Sequence, residues 1–197
     1  MGNEEKKLIV IGLDGATFDV LVPYMQNGDL PNLMRMSTGG VNAKLRSSIP
    51  PVTGPSWVSF MTGKNPGKHG IFDFVRPGED KVTRHPVNYK HIRSKTILNL
   101  VNDAGKKVGM LNMPLTYPPP QIDGFVITGL LTPEGVTKIS YPDDLMTEIN
   151  NNVGPYMMDV YWQYYGESSV DKFLDEMLRC TEHRCKTFDY LMHKQKW

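Results

Sequence analysis

The stretch that organises this chain is residues 49–74, IPPVTGPSWVSFMTGKNPGKHGIFDF. It begins with a proline-stiffened segment and places the hydroxyl of Thr53 just before an apolar-periodic run that starts at Trp57. The pattern predicts a loop that leads into a helix, with Pro55 in the first turn, where a missing N–H costs little. Because glycine is the usual left-handed residue beyond a helix C-terminus, we expect the helix to end just before Gly63.

Thr53 has two interpretations at this position. The start of a helix is the positive end of its dipole, and its unpaired N–H groups attract phosphate. A hydroxyl at that point is a candidate nucleophile. The alternative is that Thr53 is only an N-cap, since threonine caps helices in many proteins that have no chemistry there.

A second stretch, residues 8–19, reads LIVIGLDGATFD. Its apolar residues, interrupted only by Gly12, predict a buried parallel strand over residues 8–13. Asp14 then falls at the carboxyl end of the strand, which is the edge where open α/β sheets bind ligands. A carboxylate at such an edge is costly unless it has a cation or a hydrogen-bond donor.

The segments IGLDGA and PPVTGPSW, followed by TGKNPGKHGI, resemble the type I phosphodiesterase/nucleotide pyrophosphatase family of the alkaline phosphatase superfamily. More narrowly, they resemble its bacterial and archaeal branch of phosphohydrolases and phosphomutases. The resemblance implies two divalent metal ions, commonly zinc, with manganese as the alternative. It also implies that Asp14 is a metal ligand and that Thr53 is both a ligand and the nucleophile. Ser56 falls where some members carry an asparagine that holds a phosphate oxygen.

The family places its remaining metal ligands in an Asp-x-x-x-His segment and a later Asp-His-Gly segment. We expect neither motif within this chain, and none of its five histidines belongs to an Asp-His-Gly. We therefore expect the missing ligands beyond Trp197, in which case this chain is the N-terminal part of a longer enzyme. With an incomplete site, the chain alone is expected to have little or no activity.

Strand and helix patterns alternate along the chain. Residues 41–47 alternate apolar and polar residues, as a half-buried strand does, and Ser94 is the predicted N-cap of a helix that closes at Gly105. Strands are predicted at 107–113 and 124–129, and the alternation of strand and helix indicates a parallel α/β sheet. The resemblance implies a truncated alkaline-phosphatase-like fold, in which helices sandwich a mostly parallel sheet. Asn112, at the end of the first of these two strands, is a candidate substrate contact, with a simple turn role as the alternative.

The chain is expected to comprise two parts of one catalytic domain, residues 1–135 and residues 136–197. The second part has an aromatic-rich segment that lines a pocket or forms a satellite core, and then a long amphipathic helix that begins after Ser168 or Ser169. Part of the apolar face of this helix is expected to be exposed and to drive self-association. The aromatic residues of the segment are Tyr141, Tyr156, Tyr161, Trp162, Tyr164 and Tyr165.

Residues 69–93 add further candidates beyond the Thr53 helix. His69 and Asp73 could support the site, but a packing role is the favoured interpretation. Residues 76–93 are rich in charge, glycine and proline, which predicts a surface excursion that could act as a flap over the substrate. Its cations could meet a phosphate, although solvated surface charge is the commoner explanation. These cations include Arg76, Arg84, Lys90 and Arg93.

Composition limits the partners. A formal net charge of +1 gives no electrostatic argument for a nucleic acid polymer or a membrane. The family resemblance implies a small phosphorylated substrate. The N-terminus carries no apolar signal region, which makes a cytoplasmic protein the default. Cys180 and Cys185 are too far apart along a helix for a disulfide, and a metal clip that includes His183 is less favoured than ordinary helix residues.

The same residues allow alternative functions to be compared. Sulfatases need Cys or Ser at the nucleophile position followed by Pro and then Arg, whereas this chain has Thr53, Pro55 and Trp57 there. A phosphomutase of the same superfamily is an alternative. A noncatalytic α/β binding module, in which Asp14 and Thr53 only brace the sheet edge, is the alternative from another class.

Overall fold

The computed structural model describes residues 7–161 and 169–194. The chain divides into two compact units, Met1–Ser47 and Ser48–Trp197. The first unit contains helices α1, Phe18–Asn27, and α2, Pro31–Gly39. Helix α1 ends at the left-handed Gly28, with φ 90°.

The predictions of strands at residues 8–13 and 41–47, both in the first unit, are wrong. Residues 7–13 and 41–47 have no strand structure, and their apolar side chains are exposed, Leu8 by 83% and Val41 by 97%. A strand needs a neighbour to pair its backbone N–H and C=O groups. Every ladder formed by the described residues lies between Val75 and Tyr141, so neither segment has such a neighbour.

The second unit begins with α3, Thr53–Thr62, and α4, Pro66–His69. Gly63 ends α3 in the left-handed conformation, with φ 63°, as the sequence predicts. An exposed antiparallel hairpin follows, made of β1, Val75–Pro77, and β2, Arg84–Pro86, and then a 3₁₀ helix, Tyr89–His91. The predicted surface excursion is therefore this hairpin.

A three-stranded sheet forms the centre of the second unit. Its strands are β3, Val108–Met113, β4, Gly124–Thr128, and β5, Ser140–Tyr141, in the order β3-β4-β5. The β3–β4 pair is parallel, and β5 pairs antiparallel to β4. The predicted α/β class is confirmed, and so are the strands predicted at 107–113 and 124–129, which are β3 and β4.

Helix α5, Ile97–Asp103, contacts both α3 and β3. Its N-cap is Thr96 and not the predicted Ser94. The Oδ1 atom of Asn99 accepts hydrogen bonds from the backbone N–H and the Oγ1 of Thr96, both at 2.9 Å. The core beneath these elements includes Val58 and Met61 of α3, Leu98 of α5 and Val126 of β4.

Helix α6, Leu145–Asn152, contacts β5, and the long α7, Val170–Lys194, closes the described chain. A second core cluster joins Ile127, Leu145 and Ile149 to Leu191 of α7. Part of the predicted aromatic segment lies outside the described residues, namely Trp162, Tyr164 and Tyr165. Ser168, one of the two predicted starts of the long helix, also lies outside them. No helix in residues 7–161 or 169–194 is both long and apolar enough to cross a bilayer.

Candidate active site

Thr53 is the first residue of α3 and is half-buried. The N-cap position belongs to Val52, and no side chain caps the helix there, so the interpretation of Thr53 as the N-cap is wrong. The first backbone bond of the helix runs from Ser56 N–H to the Val52 carbonyl, at 3.0 Å. The N–H groups of Thr53 and Gly54 precede this bond and belong to the positive end of the helix.

Ser56 ties the first turn of α3 to the loop before it. The Oγ of Ser48 donates to the Pro50 carbonyl at 2.9 Å, which leaves the same oxygen to accept from Ser56 Oγ, also at 2.9 Å. Ser56 therefore fixes the proline-stiffened entry to the helix. Its predicted phosphate contact stays a prediction.

Gly54 is buried beside the candidate nucleophile. A Cβ atom on Gly54 would lie 3.4 Å from both Leu115 Cδ1 and Phe74 Cδ1. Leu115 is itself 1% exposed and belongs to the core. The start of α3 is thus in van der Waals reach of the core on one side and of the root of the β1–β2 hairpin on the other.

His69 is completely buried beneath the same helix. Its Nδ1 accepts from the Ile71 N–H at 3.2 Å, so the proton is on Nε2, which lies 3.0 Å from Ser59 Oγ. Burial lowers the pKa of His69, and the backbone carbonyl of Pro55 acts in the opposite direction. The favoured packing role is confirmed, but sequence reasoning missed Ser59, whose only signal is its position one turn after Pro55.

Asp14 lies in the first unit, in the turn that precedes α1. Its neighbour Gly15 has φ 67°, and the Thr17 N–H donates to the Gly15 carbonyl at 3.0 Å. Asp14 is exposed, as a carboxylate at a turn usually is. Its predicted role as a metal ligand stays a prediction.

Asn112 sits near the end of β3 with φ 58°, where the pairing register with β4 shifts. With its amide in the orientation that satisfies its neighbours, Nδ2 donates to the Met158 carbonyl at 3.2 Å and Oδ1 accepts from Arg184 Nη2 at 3.1 Å. Asn112 therefore joins the end of the strand to α7 and to the segment before it. Its role as a substrate contact stays a prediction.

The metal candidates are sparse in the described residues. Residues 7–161 and 169–194 bring together no group of three or more His, Cys, Asp or Glu side chains that could hold a metal ion, and this includes Cys180, His183 and Cys185. The expectation that neither family motif occurs is wrong in one respect, because Asp189 and His193 have the Asp-x-x-x-His spacing. Both side chains are exposed on α7, with 3.4 Å between His193 Nδ1 and Asp189 Oδ1.

A family model described as type I phosphodiesterase / nucleotide pyrophosphatase matches residues 8–192. The chain belongs to this family. Membership in the type I phosphodiesterase / nucleotide pyrophosphatase family supports hydrolysis of phosphodiester or pyrophosphate bonds as the activity class. No curated protein and no solved structure gave a significant match.

Proposed function

We propose that this chain carries part of the active site of a metal-dependent phosphohydrolase that uses Thr53 as its nucleophile. The observation that supports this most directly is the position of Thr53 as the first residue of α3, in a chain whose family match spans residues 8–192. A hydroxyl at that position lies beside the N–H groups that attract a phosphate.

The first turn of α3 would orient the substrate. The N–H groups of Thr53 and Gly54 would face a phosphate oxygen, and the helix dipole would favour its negative charge. Substrates of this kind carry that charge before and during the reaction. The burial of Gly54 and Pro55 against the core would keep this turn rigid.

The donor chemistry of Asp14 and Thr53 fits a divalent cation, since carboxylate and hydroxyl oxygens are hard ligands. A catalytic zinc site takes about three protein ligands, so these two residues would form part of a set. When bound, the metal would supply a Lewis acid that lowers the pKa of the hydroxyl. This help matters because a threonine hydroxyl is a weak nucleophile at neutral pH.

The reaction would proceed in two displacements. Thr53 Oγ1 would give its proton to solvent and form a bond to phosphorus while the bond from phosphorus to the leaving oxygen breaks. The leaving oxygen would keep the bonding electron pair and take up a proton from solvent. Water would then attack phosphorus, and the bond to Thr53 Oγ1 would break, which returns the hydroxyl and releases the phosphate product. A second acceptor in place of water would make the same chemistry a phosphotransfer, as in a mutase.

Calorimetric titration with zinc tests the ligand assignment without needing turnover. We expect Asp14→Asn and Thr53→Val each to weaken zinc binding by about tenfold or more, because each removes one of few ligands. Asp19→Asn is the matched control, since it removes the same charge from the first turn of α1. Equal affinities in Asp14→Asn and Asp19→Asn would favour a noncatalytic binding module.

A chromogenic phosphodiester with added zinc or manganese tests the nucleophile and the completeness of the site separately. We propose that this chain alone turns over little or no substrate, because the sequence lacks the Asp-His-Gly that the family uses. Robust turnover that disappears in Thr53→Val would overturn the incompleteness but support the nucleophile. Robust turnover that survives Thr53→Val would overturn Thr53 as the nucleophile.

A further inference from the structure

The turn after β3 packs against the start of α3. Leu115, two residues beyond the end of β3, places its Cδ1 atom 3.4 Å from the position that a Cβ of Gly54 would take, and Gly54 follows Thr53 directly. Leu115 is 1% exposed and belongs to the same core as Val58 of α3. The carboxyl end of β3, which pairs parallel to β4, therefore lies beside the first turn of α3. This is the edge where open α/β sheets bind ligands.

The backbone of Leu115 is in the left-handed conformation, with φ 62°. This conformation is unfavourable for a residue that has a Cβ atom, and glycine usually occupies it. A bulky residue keeps it only where the surrounding structure holds it there. A leucine at a position where glycine would relieve the strain indicates that the side chain itself has a role.

Hydrogen bonds fix the turn that carries Leu115. Its N–H donates to the Leu130 carbonyl at 3.0 Å. The next residue, Thr116, is completely buried, and its Oγ1 donates to the Met113 carbonyl at 2.6 Å and accepts from the Gly129 N–H at 3.3 Å. These bonds join the turn after β3 to the turn after β4. Leu115 is therefore held from the side of the sheet while its side chain packs on α3.

We infer that Leu115 is a positioning residue for Thr53, because its side chain sets where the first turn of α3 lies. Its consequence for the reaction rests on the proposed function, which assigns the attack to Thr53. Since Gly54 has no side chain, the leucine approaches the main chain of this turn. A misplacement of about 1 Å in a reacting group can lower the rate about a hundredfold, so packing behind the nucleophile matters.

Leu98 provides the matched control. It is completely buried in the same core but lies in α5. Leu98→Ala and Leu115→Ala remove the same atoms, so a general loss of packing affects both variants.

Leu115→Gly adds a second comparison, because it removes the side chain and also relieves the strained φ. If the role of Leu115 were only to stabilise the fold, glycine would be less harmful there than alanine. If Leu115 positions α3, both substitutions disturb the first turn. Leu115→Met keeps the volume of the side chain and should behave like the unsubstituted chain.

The first test is amide hydrogen exchange of the 197-residue chain, followed by NMR. Ser56 reports on the first turn, since its N–H forms the first backbone bond of α3, to the Val52 carbonyl. We expect Leu115→Ala and Leu115→Gly each to speed exchange at Ser56 by about tenfold or more, because the end of a helix exchanges by local opening. Leu98→Ala and Leu115→Met should stay within about twofold. Circular dichroism would check that all four variants remain folded.

The second test is zinc titration of the same variants. We expect Leu115→Ala and Leu115→Gly each to weaken zinc binding by about tenfold or more, as substitutions behind a metal ligand do, and Leu98→Ala to leave it within about twofold. Equal exchange at Ser56 in Leu115→Ala and Leu98→Ala would overturn the inference. Zinc binding through Thr53 that is unchanged in Leu115→Gly would overturn it too.

The two tests separate this inference from the proposed function. A chain that binds no zinc, but whose Ser56 exchange responds to Leu115→Ala and Leu115→Gly and not to Leu98→Ala, would remove the proposed function. It would still support Leu115 as the residue that places the first turn of α3. A chain that binds zinc through Asp14 and Thr53 but shows no special effect of Leu115 would leave the proposed function standing and remove only this inference.

Discussion

At the scale of single residues, the His69 imidazole links α4 to the first turns of α3. It is buried, accepts from Ile71 N–H, and has its Nε2 beside Ser59 and the carbonyl of Pro55. Pro55 is two residues from Thr53, so the ring braces the turn that carries the candidate nucleophile. Because Nδ1 already accepts a hydrogen bond, protonation of the ring would place two N–H groups against each other.

The lowered pKa of His69 predicts a pH-dependent stability. The pKa of a histidine in an unfolded chain is about 6.5, and that of His69 in the folded chain is lower. As the pH falls below about 6.5, the unfolded chain therefore binds a proton more readily than the folded chain. The free energy of unfolding should therefore fall from pH 7.5 to pH 5.5, by at most about 1.4 kcal/mol per pH unit for this group. Urea unfolding followed by circular dichroism at several pH values measures it.

Two variants isolate the contribution of His69. His69→Gln should lower the free energy of unfolding at pH 7.5 by about 1–3 kcal/mol, because it leaves the buried Ile71 N–H without its acceptor. It should also flatten the dependence on pH, leaving the part due to His91, whose pKa is also lowered by burial. His193→Gln, on the exposed end of α7, should keep the original slope. Equal slopes in the unsubstituted chain and His69→Gln would contradict the assignment.

At the scale of elements, the N-cap of α5 is Thr96, whereas the sequence predicted Ser94. Thr96 is 1% exposed, and its hydroxyl contacts both Asn99 Oδ1 and Tyr89 Oη, at 2.9 and 3.0 Å. Thr96→Ala should lower the free energy of unfolding by about 1–2 kcal/mol, since it removes the cap and takes one hydrogen-bond partner from the half-buried Tyr89 and Asn99 side chains. Ser94→Ala should change it by less than about 0.5 kcal/mol. Chemical denaturation of both variants measures the difference. A larger decrease in the free energy of unfolding for Ser94→Ala than for Thr96→Ala would instead support Ser94 as the N-cap.

The sequence locates the helices well because their signals are local. The end of α3 at Gly63, the end of α5 near Gly105 and the start of α7 all follow from residues within one or two turns. Strands β3 and β4 were also predicted, because each is a short apolar run between turn residues. The cap at α5 was missed because Ser94 and Thr96 are equally good caps in sequence, and only burial distinguishes them.

The strand predictions at 8–13 and 41–47 failed for a different reason. Apolar content indicates that a segment would be buried if a sheet received it, but pairing depends on residues far away in the chain. The candidate site shows the same limit. The sequence places Thr53 at a helix start, whereas the contacts of Ser59 with His69 and of Phe74 with Gly54 are tertiary and have no local signal.

At the scale of the whole molecule, α7 exposes an apolar stripe. Leu174, Met177 and Leu178 are spaced to lie on one helix face, and Leu178 is 69% exposed. Burial of such side chains stabilises an association by about 25 cal/mol per Å² of apolar surface. The sequence-based expectation that this helix drives self-association therefore keeps a physical basis in the structure, and it stays a prediction.

Sedimentation velocity over a range of concentrations tests this expectation. The unsubstituted chain should associate as its concentration rises, and Leu178→Glu should remain monomeric because the new charge would have to be buried unpaired. Val82→Glu is the control, since Val82 is 82% exposed in the hairpin turn, away from α7 in sequence, and should associate like the unsubstituted chain. Association that is equal in Leu178→Glu and Val82→Glu would mean that a surface other than the α7 stripe carries it. If the unsubstituted chain stays monomeric at every concentration, the expectation of self-association is wrong.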